Sequence, residues 1–165
     1  MQYIKNKISN FYLLITLSIF FLDRSTKIYI IKKTEEIGTS EIFFSNYLNI
    51  QLVWNEGIAF GLLSFNESFF YNIITFFISI VIIILIYFSS KSKSFEKIAY
   101  VLIIGGALGN LFDRVYYNAV PDFIDLNYQG YHWFIFNVAD IFITVGIICL
   151  IFAELLNYKS NDEKK

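Results

Sequence analysis

The sequence predicts an all-α membrane protein with four transmembrane helices, both termini cytoplasmic, and a small extracytoplasmic β-sheet built from the first outer loop. Three observations lead there. Of 165 residues, 56% are hydrophobic and 20% aromatic, too apolar for a soluble domain of this size. Four apolar segments, about 8–31, 69–88, 98–116 and 134–156, are each long enough to cross a membrane. Finally, Lys5, Lys7, Lys91, Lys93, Lys97, Lys159, Lys164 and Lys165 fall at the N-terminus, between the second and third segments, or in the tail 158–165. The positive-inside rule makes those regions cytoplasmic. The chain reads as one membrane-embedded domain, 1–165.

The first segment follows Lys5 and Lys7 and so resembles a signal peptide, but no small-x-small cleavage site closes it. "DRSTK" follows instead, so a retained anchor is expected. The first outer loop, 33–67, is too long for a plain connection. Within it "YLNIQLVW" alternates apolar and polar residues, the pattern of a strand, and "NEGIAFG" supplies glycines for turns and close approach. Segment two runs uncharged from Ser68 to Ser90, 23 residues, or roughly 34 Å of helix. In segment three, Gly105 and Gly109 of "GGALGN" have the small-xxx-small spacing that lets helices pack closely. The second outer loop, 117–133, contains "VPDFID", and the fourth segment carries Asp140 near its entry. The tail "YKSNDEKK" is expected to fray on the cytoplasmic side.

Composition also excludes function classes. A net charge of −1 leaves no basic excess for nucleic acid. The single Cys149 rules out an intrachain disulfide or thiolate cluster and reads as a buried thiol. The single His132 excludes a His-rich zinc site and reads as an interfacial side chain beside Trp133.

What remains is a set of polar groups at one depth. Segments one and three are uncharged over only 15 residues each, Ile8 to Leu22 and Ile98 to Phe112. That is roughly 22 Å against a hydrocarbon core about 30 Å thick. Both shortfalls lie at the outer end, where Asp23, Arg24 and Lys27, and Asn110, Asp113 and Arg114, take over. Asp23 and Lys27, the Asn110–Asp113–Arg114 group, and Asn137 with Asp140 each have helical spacing onto one face. Such groups face a bundle interior or a wet cavity, as a structural ion-pair cluster or as a site. Ser25 and Lys27 point apart on a helix, which argues against a Ser–Lys dyad.

Carboxylates are the remaining candidates. Asp122 or Asp125 of "VPDFID" could face Asp140. Two close carboxylates share a proton, so one takes a proton from water while the other protonates a carbonyl, the requirement of an aspartic peptidase. Two rivals use the same acids: a Mg²⁺-dependent lipid transferase, and a proton-coupled transporter, for which no repeat or broken-helix signal is present.

Five stretches in order, "DRSTK", "NEGIAFG", "GNLFDR", "VPDFID" and "FNVAD", resemble the lipoprotein signal peptidase (signal peptidase II) family across nearly the whole chain. The resemblance implies four helices with cytoplasmic termini, an outward surface sheet, and a membrane aspartyl endopeptidase needing no metal or other cofactor. Its substrates would be prolipoproteins carrying diacylglyceryl on the lipobox cysteine, cut immediately before that cysteine. It implies Asp122 and Asp140, 18 positions apart, as the catalytic pair. Asn110, Arg114, Asn137, Asn55 and Gly57 would support the site or contact substrate. Asp23, Lys27 and Asp113 would form a structural polar cluster, with Asp113 holding Arg114, and Asp125 would be an exposed loop carboxylate. A bacterial cytoplasmic (inner) membrane enzyme acting as a monomer, its site facing outward and open to globomycin-type inhibitors, is the corresponding expectation. Trp54 and its loop would close over the substrate or sit at headgroup level. Pro121, where an aliphatic residue is expected, removes a backbone donor and puts the local strand pairing in question.

Overall fold

Helix α1 (Gln2–Ile37) runs beyond the expected end of the first segment. It stops at Gly38, whose positive φ of 75° lets its N–H donate to the Thr34 carbonyl at 2.9 Å, a left-handed helix cap. The computed structural model describes residues 2–57, 67–92 and 94–162. Strands β1 (Glu41–Phe43) and β2 (Leu48–Asn55) follow, then helices α2 (Glu67–Lys91) and α3 (Ser94–Tyr117). Strands β3 (Val120–Tyr128) and β4 (Tyr131–Phe136) lead into helix α4 (Val138–Asp162). Asn118, with φ 55°, ends α3 as Gly38 ends α1.

Helix α3 is central and packs against α1, α2 and α4. Among the described residues, three stretches are long and apolar enough to cross a membrane: Tyr71–Lys91, Phe95–Tyr117 and Val138–Leu156. Helix α1 departs from them because its second half carries Asp23, Arg24 and Lys27. Burial is inverted relative to a soluble protein. Lys27, Asn137, Asp23, Asp113 and Asp125 are among the most completely buried large side chains, while Leu14, Phe77, Ile83 and Phe152 are exposed. A chain dissolved in hydrocarbon sorts its residues this way, since lipid tolerates apolar surface and polar groups must find one another.

The expected sheet exists, but it is not made from the first outer loop alone. Its order is β1-β2-β3-β4, every pair antiparallel, so half of it comes from the stretch 117–133 read as a short loop and from the start of the fourth segment. Residues 134–136 are strand rather than helix, and α4 begins at Val138. The turn explains this. Tyr128 pairs with Tyr131 across Gln129 and Gly130, whose φ values of 50° and 82° are both positive, the two-residue hairpin geometry that matches strand twist. Pro121 does not break the ladder: it lies opposite Trp54 on β2, and β4 pairs with β3 only from Ile124 onward. With a neighbour on one side only, the strand tolerates the missing N–H. The stretch "NEGIAFG" is described only as far as Gly57, so closure of that loop lies outside the described residues. Helix α4 continues to Asp162, into the tail expected to fray.

Asp125 corrects the sequence reading. It is fully buried rather than exposed, and its Oδ2 accepts from Asn49 Nδ2 at 3.0 Å and Gln51 Nε2 at 2.9 Å, with His132 Nδ1 at 2.8 Å. The carboxyl thus pins β2, β3 and β4 together. Burial would raise its pKa, but the hydrogen bonds from Asn49, His132 and Gln51 prevail and hold it below the ordinary carboxylate range. A depressed folded-state pKa means that the stabilisation is complete above the unfolded value of about 4 and is lost as pH falls through the folded one. Asp125→Ala strands these partners and should cost about 1–3 kcal/mol. Thermal melts of wild type and variant should differ most near neutral pH, and the gap should close under strongly acidic conditions.

Candidate active site

The site begins where β4 turns into α4. Asn137 is the cap of that helix: its Oδ1 accepts the Asp140 backbone N–H at 3.2 Å, while Asp140 Oδ2 accepts the Asn137 N–H at 3.1 Å. This reciprocal pairing is a capping box with an acid at the third helical position. Asp140 is therefore a first-turn residue of α4, stabilised by otherwise unpaired N–H groups and the positive end of the helix, rather than one about six residues into the fourth segment as the range 134–156 implied.

The other amide edge of Asn137 faces the sheet. Its Nδ2 donates to Asp122 Oδ1 at 2.6 Å, so one side chain is hydrogen-bonded to Asp122 and to the Asp140 backbone, and its own N–H to the Asp140 carboxylate. Asp122 sits near the start of β3, opposite Val53, and is buried to 4% exposure. Its second oxygen accepts from Asn55 Nδ2 at 2.9 Å, and Asn55 Oδ1 accepts the Gly57 N–H at 2.8 Å. Burial pushes the Asp122 carboxyl above its ordinary range; the Asn55 and Asn137 amides oppose this, and the nearby Asp140 charge adds to it.

Beneath the acids lies an ion cluster shared by α1 and α3. Lys27 Nζ donates to Asp23 Oδ2 at 2.8 Å, Asn110 Oδ1 at 2.8 Å and Asp113 Oδ2 at 2.7 Å, satisfying all three ammonium protons. Asp113 Oδ1 pairs with Arg24, whose guanidinium stacks 4.7 Å from the Phe112 ring centroid. Asp113 therefore holds Arg24 and Lys27, not Arg114 as the sequence suggested. Asp23 Oδ1 accepts the Ala139 N–H at 2.9 Å, tying α1 to the first turn of α4. Asn110 links cluster and acids, its Nδ2 donating to Asp140 Oδ1 at 2.8 Å. Gly109 makes the approach possible, because a Cβ there would lie 2.5 Å from Asp23 Oδ2, an atom held in place by Lys27.

Arg114 lies apart from this chain of bonds. Its guanidinium is 5.6 Å from the Tyr71 ring centroid, and a Cβ on Gly57, whose φ is 74°, would come within 2.9 Å of its Nη1. Position 57 thus requires glycine for both conformation and space. Trp54 stacks at a tilt on Tyr117, ring centroids 5.3 Å apart. A cleft of about 410 Å³, lined by Trp133, Phe134, Phe136, Ile141 and Val145, reaches Asp140. Its β4 wall does not follow from the sequence pattern, which puts Trp133 in the outer loop and Phe134 and Phe136 in a span; the Gln129-Gly130 turn is the signal that identifies it.

A profile of the Signal peptidase (SPase) II family matches residues 15–156. The chain is 49% identical over 163 residues to a lipoprotein signal peptidase of Pelagibacter ubique (strain HTCC1062), covering 97% of this chain and 98% of that protein. It is 40% identical over 150 residues to a lipoprotein signal peptidase of Staphylococcus haemolyticus (strain JCSC1435), covering 91% and 94%. A bacterial membrane enzyme solved by the in meso method at 2.3 Å resolution superposes with a TM-score of 0.72 at 42% identity, over 94% of this chain and 93% of that one.

Lys27→Met would leave Asp23 and Asp113 buried with reduced compensation, a change that costs about 3–5 kcal/mol in comparable buried pairs. A marked fall in melting temperature in detergent is expected, and an unchanged melt would contradict the central role given to this ammonium.

Proposed function

The chain belongs to the signal peptidase II family and removes signal peptides from prolipoproteins, and from that premise we propose that Asp122 and Asp140 are its catalytic pair. In this reading the enzyme cuts diacylglyceryl-modified prolipoproteins immediately before the lipidated cysteine. One acid takes a proton from water as it attacks the scissile carbonyl, and the other protonates the carbonyl oxygen, so no covalent intermediate is needed. The observation that carries the reading is Asn137, which hydrogen-bonds to both acids and so ties the strand acid to the helix acid.

Asn55, Asn110 and Asn137 orient the acids, Arg114 and Gly57 contact the substrate backbone, and Asp23, Lys27 and Asp113 hold the helices. Helix α1 is the fourth span: its outward residues Leu13, Leu14, Leu17 and Phe21 are exposed and apolar while Asp23, Arg24 and Lys27 turn inward. Both termini lie in the cytoplasm and the sheet on the outer face of a bacterial inner membrane, as the lysine distribution supports. The apolar cleft at Asp140 suits part of a lipidated substrate arriving from the outer leaflet. The enzyme works as a monomer, without a metal, as a single domain, and is a target for globomycin-type inhibitors.

Incubating the purified protein with lipidated and unlipidated forms of one prolipoprotein tests this by mass shift. Cleavage of the lipidated form alone, in excess chelator, is expected. Asp140→Asn should fold and bind substrate without cutting it, whereas retained turnover would remove that acid from the reaction, and chelator sensitivity would favour metal chemistry.

A further inference from the structure

The two acids receive different donors, and the difference follows from which way three amides face. Lys27 can only donate, so the oxygen of Asn110 must face it and the Asn110 NH₂ must face Asp140. The backbone N–H groups of Asp140 and Gly57 likewise can only donate, which turns the NH₂ groups of Asn137 and Asn55 toward Asp122. No amide in this set is free to flip without losing a bond to an obligatory donor.

We propose that Lys27, acting through Asn110, fixes Asp140 as the carboxylate that takes the proton from water and leaves the shared proton on Asp122. This rests on the catalytic-pair reading above. Asp140 accepts from an amide polarised by an ammonium and from an N–H at the positive end of α4. Asp122 is on a strand, buried, and among the described residues accepts only from neutral amides. Burial raises its pKa and the adjacent Asp140 charge adds to that, against the Asn55 and Asn137 amides, the direction that favours the proton on the strand acid.

The charged groups around Asp140 are consistent with this assignment. From α1 come Asp23 and Lys27, with Arg24 beyond; from α3 come Asn110 and, behind Lys27, Asp113; from β3 comes Asp122 and from β2 the neutral Asn55. Asp23 also reaches the first turn of α4, and both its oxygens are occupied, by Lys27 and by the Ala139 N–H. In the reaction the water proton passes to Asp140 as the new C–O bond forms, and the Asp122 proton passes to the carbonyl oxygen. Collapse of the tetrahedral species breaks the C–N bond, with the proton on Asp140 delivered to the leaving amine. Protons balance, and Asp122 recovers its own from the hydroxyl it protonated.

The test is the pH dependence of kcat on a lipidated prolipoprotein in detergent. The acidic limb reports the base and the alkaline limb the acid. Asn110→Ala removes a donor to the base, so the acidic limb should move to higher pH by about one to two units, with the alkaline limb in place. Asn55→Ala removes a donor to the acid and should move only the alkaline limb, also upward. Asn55 is exposed at the end of β2, so this variant carries the test if Asn110→Ala does not fold. Opposite limbs moving, or a fall in activity with neither limb moving, would overturn the assignment. Turnover by Asp122→Asn or Asp140→Asn would instead overturn the catalytic-pair reading itself.

Discussion

One ammonium group organises the polar end of the helix bundle. Lys27 places its three protons on an aspartate one turn earlier in α1 and on an asparagine and an aspartate of α3. Removing a lysine and two carboxylates from water is costly, and the cost is offset only when every lone pair and proton is engaged. Here nearly all are. Asp23 spends its second oxygen on the first turn of α4, Asp113 spends its own on Arg24, and Asn110 passes its amide on to Asp140. Three helices are fixed at one level by groups that lipid cannot solvate, so the polar cluster is both the adhesive of the bundle and the floor of the site.

The acids above that floor have contrasting origins. Asp140 belongs to a helix cap, where a carboxylate would be favourable in any protein, and Asp122 to a strand, where a buried carboxyl has no such support. Asn137 joins the two environments because it is at once the last residue before the helix and the neighbour of β3. A local rule of helix termination thereby places one member of the pair within reach of the other. The sheet is part of the same device, since β2 delivers Asn55 to Asp122 and Asp125 locks β2, β3 and β4 together one face away.

Much of this was legible before any coordinates. Uncharged runs of 15 residues in two segments, with Asp140 near the entry of a third, located the depth at which Asp23, Lys27, Asn110, Asp113 and Asp140 come together. The second half of the sheet was not legible, because "YHWFIF" is as apolar as the helix that follows it and periodicity does not separate a short apolar strand from a helix start. The turn Gln129-Gly130 was the discriminating feature. Asp125 was misread for a related reason: its partners Asn49, Gln51 and His132 are distant or ordinary in sequence, and only the register of three strands brings them together. The partner of Asp113 was likewise a tertiary matter, since the family resemblance pointed to its neighbour Arg114 while packing supplied Arg24 and Lys27.

The central claim is that a helix-cap acid and a strand acid act as one catalytic unit. Residues that act as a unit are not additive when removed. The most direct measurement is therefore kcat for Asp122→Asn, Asp140→Asn and the double variant on the same lipidated substrate. The account predicts that each single change lowers kcat to the same background and that the double falls no further. Losses that multiply in the double variant, or substantial turnover in either single one, would contradict it.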